Sequence, residues 1–193
     1  MLLLVVFAIA VALVPVFGGR LRSLTELRLQ GVWLIFAALA VQLLLIVVPG
    51  PIDAARIAAH VSTYGMGVGF LFLNRRLPGL WIVAIGGLSN FVAIAANGGT
   101  LPASPHALAV AGLAPRPGLY ANSAALAHPK LLFLGDVFAV PRWLPFANTF
   151  SAGDVLILLG AAYAVHRVAG SRLASRPQDG AARRSRKSRT TAT

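Results

Sequence analysis

Four stretches of this chain, 1–19, 29–52, 57–74 and 77–115, hold no Asp, Glu, Lys or Arg, while the basic residues crowd between and after them. A helix needs about 20 apolar residues, and at least about 17, to cross ~30 Å of hydrocarbon, a length each stretch reaches. Hydrophobic residues make up 58% of the chain and charged residues 11%, against roughly 45–50% and ~25% in ordinary soluble domains. From 143 to 165 the only charge is Asp154, so a fifth helix is expected to open near Ser151. The pattern predicts an all-α, polytopic integral membrane protein. Its five helices fall at about 1–17, 31–48, 57–73, 80–96 and 151–168, with an ordered outer segment at 97–150. Residues 1–169 then form a membrane domain and 170–193 a disordered basic cytoplasmic tail.

Positively charged short loops resist translocation, so the basic residues set an orientation. Alternate connections and the tail carry thirteen Lys and Arg on one side and four on the other. This places the C-terminus in the cytoplasm, the N-terminus outside, and 97–150 on the outer face of the plasma membrane. The first apolar run lacks a basic lead-in and an A-x-A site, so it is read as a helix rather than a cleaved signal. The tail, with Arg183-Arg184-Ser185-Arg186-Lys187-Ser188-Arg189, is expected to set topology and to meet anionic lipid headgroups, with no nucleic-acid partner.

Without cysteine the chain has no thiolate chemistry, and His60, His106, His128 and His166 are too scattered for a metal cluster. No metal or cofactor is expected. Polar residues within the predicted helices are few: Gln42, His60, Ser62, Thr63, Ser89 and Asn90. The Gly65-x-x-x-Gly69 spacing and Gly86-Gly87 are read as close helix packing. A coupled transporter usually keeps ionisable groups at mid-depth, and little here answers to that.

The outer segment holds the chemistry-bearing residues. Asn97-Gly98-Gly99 followed by Pro102 has the form of a helix stop, and 103–123 is expected to be ordered loop. Asp136 is flanked by large apolar residues. Its pKa should rise through lost hydration unless Lys130 or Arg142 pairs with it. Ser151-Ala152-Gly153-Asp154 has the S-x-x-D form of a capping box. Two carboxylates brought together cannot both ionise easily, which is the arrangement an aspartyl hydrolase uses, and Asp136 and Asp154 are the candidate pair.

Two resemblances enter at these residues. The motifs Asn74-Arg75-Arg76-Leu77-Pro78-Gly79, Ala95-Ala96-Asn97-Gly98-Gly99, Phe133-Leu134-Gly135-Asp136 and Asn148-Thr149-Phe150-Ser151-Ala152-Gly153-Asp154-Val155 resemble a family of small bacterial, mainly actinobacterial, membrane proteins of uncharacterised function. More locally, Asp136-Val137-Phe138, Trp143-Leu144-Pro145-Phe146 and Phe150-Ser151-Ala152-Gly153-Asp154, within residues 133–160, resemble the C-terminal signature of lipoprotein signal peptidase. That second resemblance implies Asp136 and Asp154 as catalytic carboxylates, and Asn97-Gly98-Gly99 is weakly similar to its N-x-G motif. Only 39 positions separate Asn97 from Asp136, which departs from that enzyme's two intervening spans.

Sequence and resemblance together favour a non-enzymatic accessory or binding factor acting through its outer face. Asn97, Gly98, Asn148 and Ser151 are the candidate substrate-binding residues. The rival is a membrane-embedded aspartyl hydrolase working through Asp136 and Asp154, and a small-molecule transporter stands third.

Overall fold

The computed structural model describes residues 2–48, 50–51, 53–114 and 123–174. Five helices build the bundle: α1 (Leu2–Val16), α3 (Val32–Val47), α4 (Ala54–Leu73), α5 (Leu80–Ala96) and α7 (Ala152–Val168), with a single-turn α2 (Arg22–Thr25) after α1. Between α5 and α7 lies a lobe made of β1 (Leu101–Pro102), α6 (Pro105–Ala111), β2 (Ser123–Ala124), β3 (Phe138–Val140) and β4 (Asn148–Phe150). β1 runs parallel to β2, β3 pairs antiparallel with β4, and an isolated parallel bridge joins Ala103 to Asp136.

The expected polytopic all-α fold is corrected on two counts. Among the described residues no helix is long and apolar enough to cross a membrane, and the chain forms seven helices with two small sheets rather than five helices alone. The cause is that a charge-free run is longer than the helix it contains. Gly31 adopts a left-handed conformation (φ 66°) at the start of α3, and Gly79 does the same (φ 89°) at the start of α5. Asn97, Gly98 and Gly99 end α5. α3 and α5 are held in this way to 16 and 17 residues, and α1 and α7 span 15 and 17. At 1.5 Å per residue such helices reach about 23–26 Å, short of ~30 Å of hydrocarbon. α4 has 20 residues, but Arg56, His60, Ser62 and Thr63 dilute its apolar character.

α5 packs most extensively on α7, α3 on α4, and α1 on α7. The α5–α7 contact is made by glycines seven residues apart on each helix. A Cβ on Gly86 would sit 2.4 Å from the Gly153 carbonyl oxygen, and one on Gly160 would sit 2.7 Å from the Val83 nitrogen. Gly79 likewise faces the Gly160 carbonyl, so the two antiparallel backbones touch at both ends of the seam. Of the glycines read as packing residues, Gly86 lies in this seam, whereas Gly65 and Gly87 have open space where a Cβ would go and Gly69 only grazes Leu34.

Two polar side chains near helix ends, Asn74 and His166, tie distant segments together. Asn74, buried at the end of α4, donates to the Gln30 and Phe70 carbonyls and accepts from the Gln30 N–H. At the far end of α7, His166 bonds the Ser171 hydroxyl and the Ala10 carbonyl, fixing α7 to α1. The basic tail expected over 170–193 is described only through the 3-10 turn Arg172–Ala174, and its remaining residues lie outside the described ones. Within the expected loop 103–123, the structure forms α6, and 115–122 lie outside the described residues.

Candidate functional site

The polar residues of the lobe converge where it meets the starts of α7 and the last turns of α5. Ser151 caps α7: its Oγ accepts from the Asp154 N–H at 3.0 Å, while Asp154 Oδ2 accepts from the Ser151 N–H at 3.0 Å. Both halves of the expected capping box are therefore made. The other carboxylate oxygen, Asp154 Oδ1, accepts from Asn90 Nδ2 at 2.8 Å, and the Ser151 hydroxyl donates to Asn90 Oδ1 at 2.8 Å. Asn90 thus faces both members of the box and closes a ring of hydrogen bonds. Ser151 is fully buried and Asn90 nearly so.

Gly153 makes that ring possible. A Cβ there would lie 2.1 Å from Asn90 Oδ1 and 2.6 Å from the Gly86 carbonyl. The same glycine that seats α7 against α5 also lets the asparagine reach the cap.

Asp136 sits in the lobe at the isolated bridge to Ala103, just before β3. Its N–H donates to the Pro102 carbonyl and its carbonyl accepts from the Ser104 N–H, both at 2.9 Å. Gly135 is forced by this approach, since a Cβ would fall 2.0 Å from the Pro102 oxygen. The Asp136 carboxylate is buried and accepts from the Thr149 hydroxyl at 3.1 Å. No Lys or Arg among the described residues pairs with it, so the ion pair considered with Lys130 or Arg142 is not made. Burial pushes its carboxyl above the ordinary range, the Ser123 and Thr149 hydroxyls oppose the rise, and the negative charge of Asp154 adds to it. The Ser123 hydroxyl is near enough to favour the charged form, yet its Oγ is buried without a hydrogen bond of good geometry.

Asp136 and Asp154 therefore feel one another's charge, but among the described residues no hydrogen bond joins them and each is held by different donors. Asn97 is also engaged. Its Nδ2 donates to the Ala93 and Lys130 carbonyls, and its Oδ1 accepts from the Lys130 N–H at 2.8 Å. This clamp holds Lys130 next to Leu131, whose φ of 53° places a non-glycine residue in the left-handed region. Gly98 is an exposed turn residue with φ 66°. Asn148 is exposed on β4 opposite Val140, outside the hydrogen-bonded ring.

Among the candidates from sequence, Asp154 and Ser151 come together directly, Asp136 lies one charge interaction away, and Asn97, Gly98 and Asn148 stand apart. Asn90 and Thr149 were missed as partners. Asn90 was legible only as a polar residue in an apolar helix, a rare placement that calls for a specific hydrogen-bonding partner.

Fold and site define a small helical bundle with a capping lobe, joined by the hydrogen-bonded ring of Asn90, Ser151 and Asp154. The profile of a family described as "Family of unknown function (DUF5317)" matches residues 26–166, and the chain belongs to that family. No curated protein and no solved structure matches the chain.

Proposed function

We propose that this chain is a non-catalytic binding or accessory protein that associates with a lipid bilayer, at the plasma membrane, and meets its partner through the lobe between α5 and α7. The observation that carries the reading is the inverted placement of side chains. Trp33, Phe36 and Trp81 on the bundle and Trp143 on the lobe are 68%, 66%, 65% and 78% exposed. The buried positions meanwhile include Asn74, Asn90, Asp136, Thr149, Ser151 and His166. Patches of large apolar side chains on this scale mark surfaces that meet another apolar phase. Each large side chain removed from water contributes about 1.5–3 kcal/mol, so a few suffice to hold the bundle against acyl chains. No helix needs to cross the bilayer for this. The basic tail beyond the described residues adds attraction to anionic headgroups within this proposal.

Sedimentation of the full chain from cell lysate tests it. The protein is expected in the membrane pellet and released by detergent but not by high salt, and recovery in the detergent-free supernatant would contradict the reading.

The aspartyl-hydrolase reading draws on one observation, the mutual influence of Asp136 and Asp154. Against it, each oxygen of Asp154 already accepts a hydrogen bond, from the Asn90 amide and the Ser151 N–H, and among the described residues no hydrogen bond joins it to Asp136. Peptide cleavage by the wild-type protein that is abolished in both Asp136→Asn and Asp154→Asn variants would restore that reading.

A further inference from the structure

At the end of the bundle where α4 stops and α5 begins, a pocket of about 330 Å³ is lined by Arg28, Asn74, Arg75 and Arg76, with Gln30 and Leu77. No carboxylate among the described residues pairs with any of the three arginines. Arg75 is fixed in place, with Nη1 on the Phe72 carbonyl at 3.2 Å and its guanidinium 4.6 Å above the Phe72 ring. The clamp of buried Asn74 on Gln30 holds the segment bearing Arg28 against the end of α4, so part-buried hydrogen bonds assemble the basic cluster.

A second cavity, about 1030 Å³, runs along the outer faces of α3, α4 and α5. Its walls include Leu39, Val68, Phe72, Trp81, Leu88 and Phe91, and Arg75 lines it as well as the basic pocket. Its breadth comes from Gly65, Gly67 and Gly87, which leave open space where side chains would stand. A cationic pocket continuous through one arginine with a long apolar groove has the polarity of an acidic amphiphile.

We propose that this composite site binds an acidic phospholipid, its phosphate-bearing head among Arg28, Arg75 and Arg76 and an acyl chain along the α3–α4–α5 groove. Charge complementarity selects the occupant: three unneutralised guanidiniums favour an anionic phosphate, which forked N–H groups recognise well, and a groove this apolar rejects a polar peptide. The site deepens the bilayer-associated reading by naming a lipid class and its seat. It is read in detergent, so its failure is distinguishable from failure of the sedimentation test.

The full chain in neutral detergent is titrated with phosphatidylglycerol, phosphatidylcholine and inorganic phosphate, with binding followed by calorimetry. Phosphatidylglycerol is expected to bind saturably and at least tenfold tighter than phosphatidylcholine. The Arg28→Gln/Arg75→Gln/Arg76→Gln variant, whose changes are all exposed, is expected to lose that tenfold preference. A Cβ at Gly67 or Gly87 meets nothing within 4 Å, so Gly67→Leu and Gly87→Leu place a side chain in the groove without a clash at Cβ, and each is expected to weaken phosphatidylglycerol without lowering the thermal midpoint. Equal affinity for the two lipids overturns the proposal. So does an unchanged triple variant, which would assign the binding to the basic tail, or inorganic phosphate binding as tightly as the lipid.

Discussion

Gly153 shows how much one missing methyl can carry. Adding it drives a Cβ into Asn90 Oδ1 and the Gly86 backbone, neither of which can rotate away without breaking the ring around Ser151. Gly153→Ala should cost about 1–3 kcal/mol or more, as overpacking does. Gly87→Ala, with nothing near its Cβ, should gain roughly 0.5–1 kcal/mol from helix propensity. Thermal unfolding in detergent should separate the two by sign. Asn90→Ala strands the buried Ser151 hydroxyl and one oxygen of Asp154, and should cost about 1–3 kcal/mol. For Asp136 the sign follows from burial. A carboxyl whose folded pKa is raised binds its proton more tightly when folded. The stability it contributes is complete below the ordinary carboxyl range and is lost as pH rises through the folded value. Asp136→Asn cannot ionise, so as pH rises above the ordinary carboxyl range its unfolding midpoint should fall less than that of the wild type. His60, which burial shifts downward, runs the other way but is common to both proteins and drops out of the difference.

At the scale of elements, the cap of α7 could be read from Ser151-Ala152-Gly153-Asp154 because a capping box is local: its donors and acceptors lie within four residues. Asn97-Gly98-Gly99 ended α5 for the same reason. α6 was equally local and was passed over. Ser104 before Pro105 at the first helical positions, with left-handed Gly112 beyond the last, is a start and stop pattern obscured by the prolines and glycines around it. What sequence could not give was contact between elements. The glycines that make the α5–α7 seam differ from Gly65 and Gly67 only in what packs against them, which no spacing within one helix reveals. Asn90 and Thr149 likewise acquire their meaning from residues 61 and 13 positions away. Ser151→Ala removes one acceptor from the first turn of α7 and the donor to Asn90, and should cost about 1–2 kcal/mol, read as a lower unfolding midpoint.

For the whole molecule, composition identified an apolar chain correctly but converted charge-free length into helix length too directly. Turns at Gly31, Gly79 and Asn97 consume residues that hydropathy counts as available for a span. The fold that results buries Asn74, Asn90 and Asp136 while it exposes Trp33, Trp81 and Trp143. The three tryptophans, Trp33, Trp81 and Trp143, are all outward-facing and are the only ones in the chain, which makes them reporters of what covers that surface. Reconstitution into bilayers with brominated acyl chains tests the central claim most directly. Strong quenching of the tryptophan fluorescence by brominated lipid, with little by aqueous iodide, is the expected result. Fluorescence quenched by iodide and untouched by brominated chains would contradict the account.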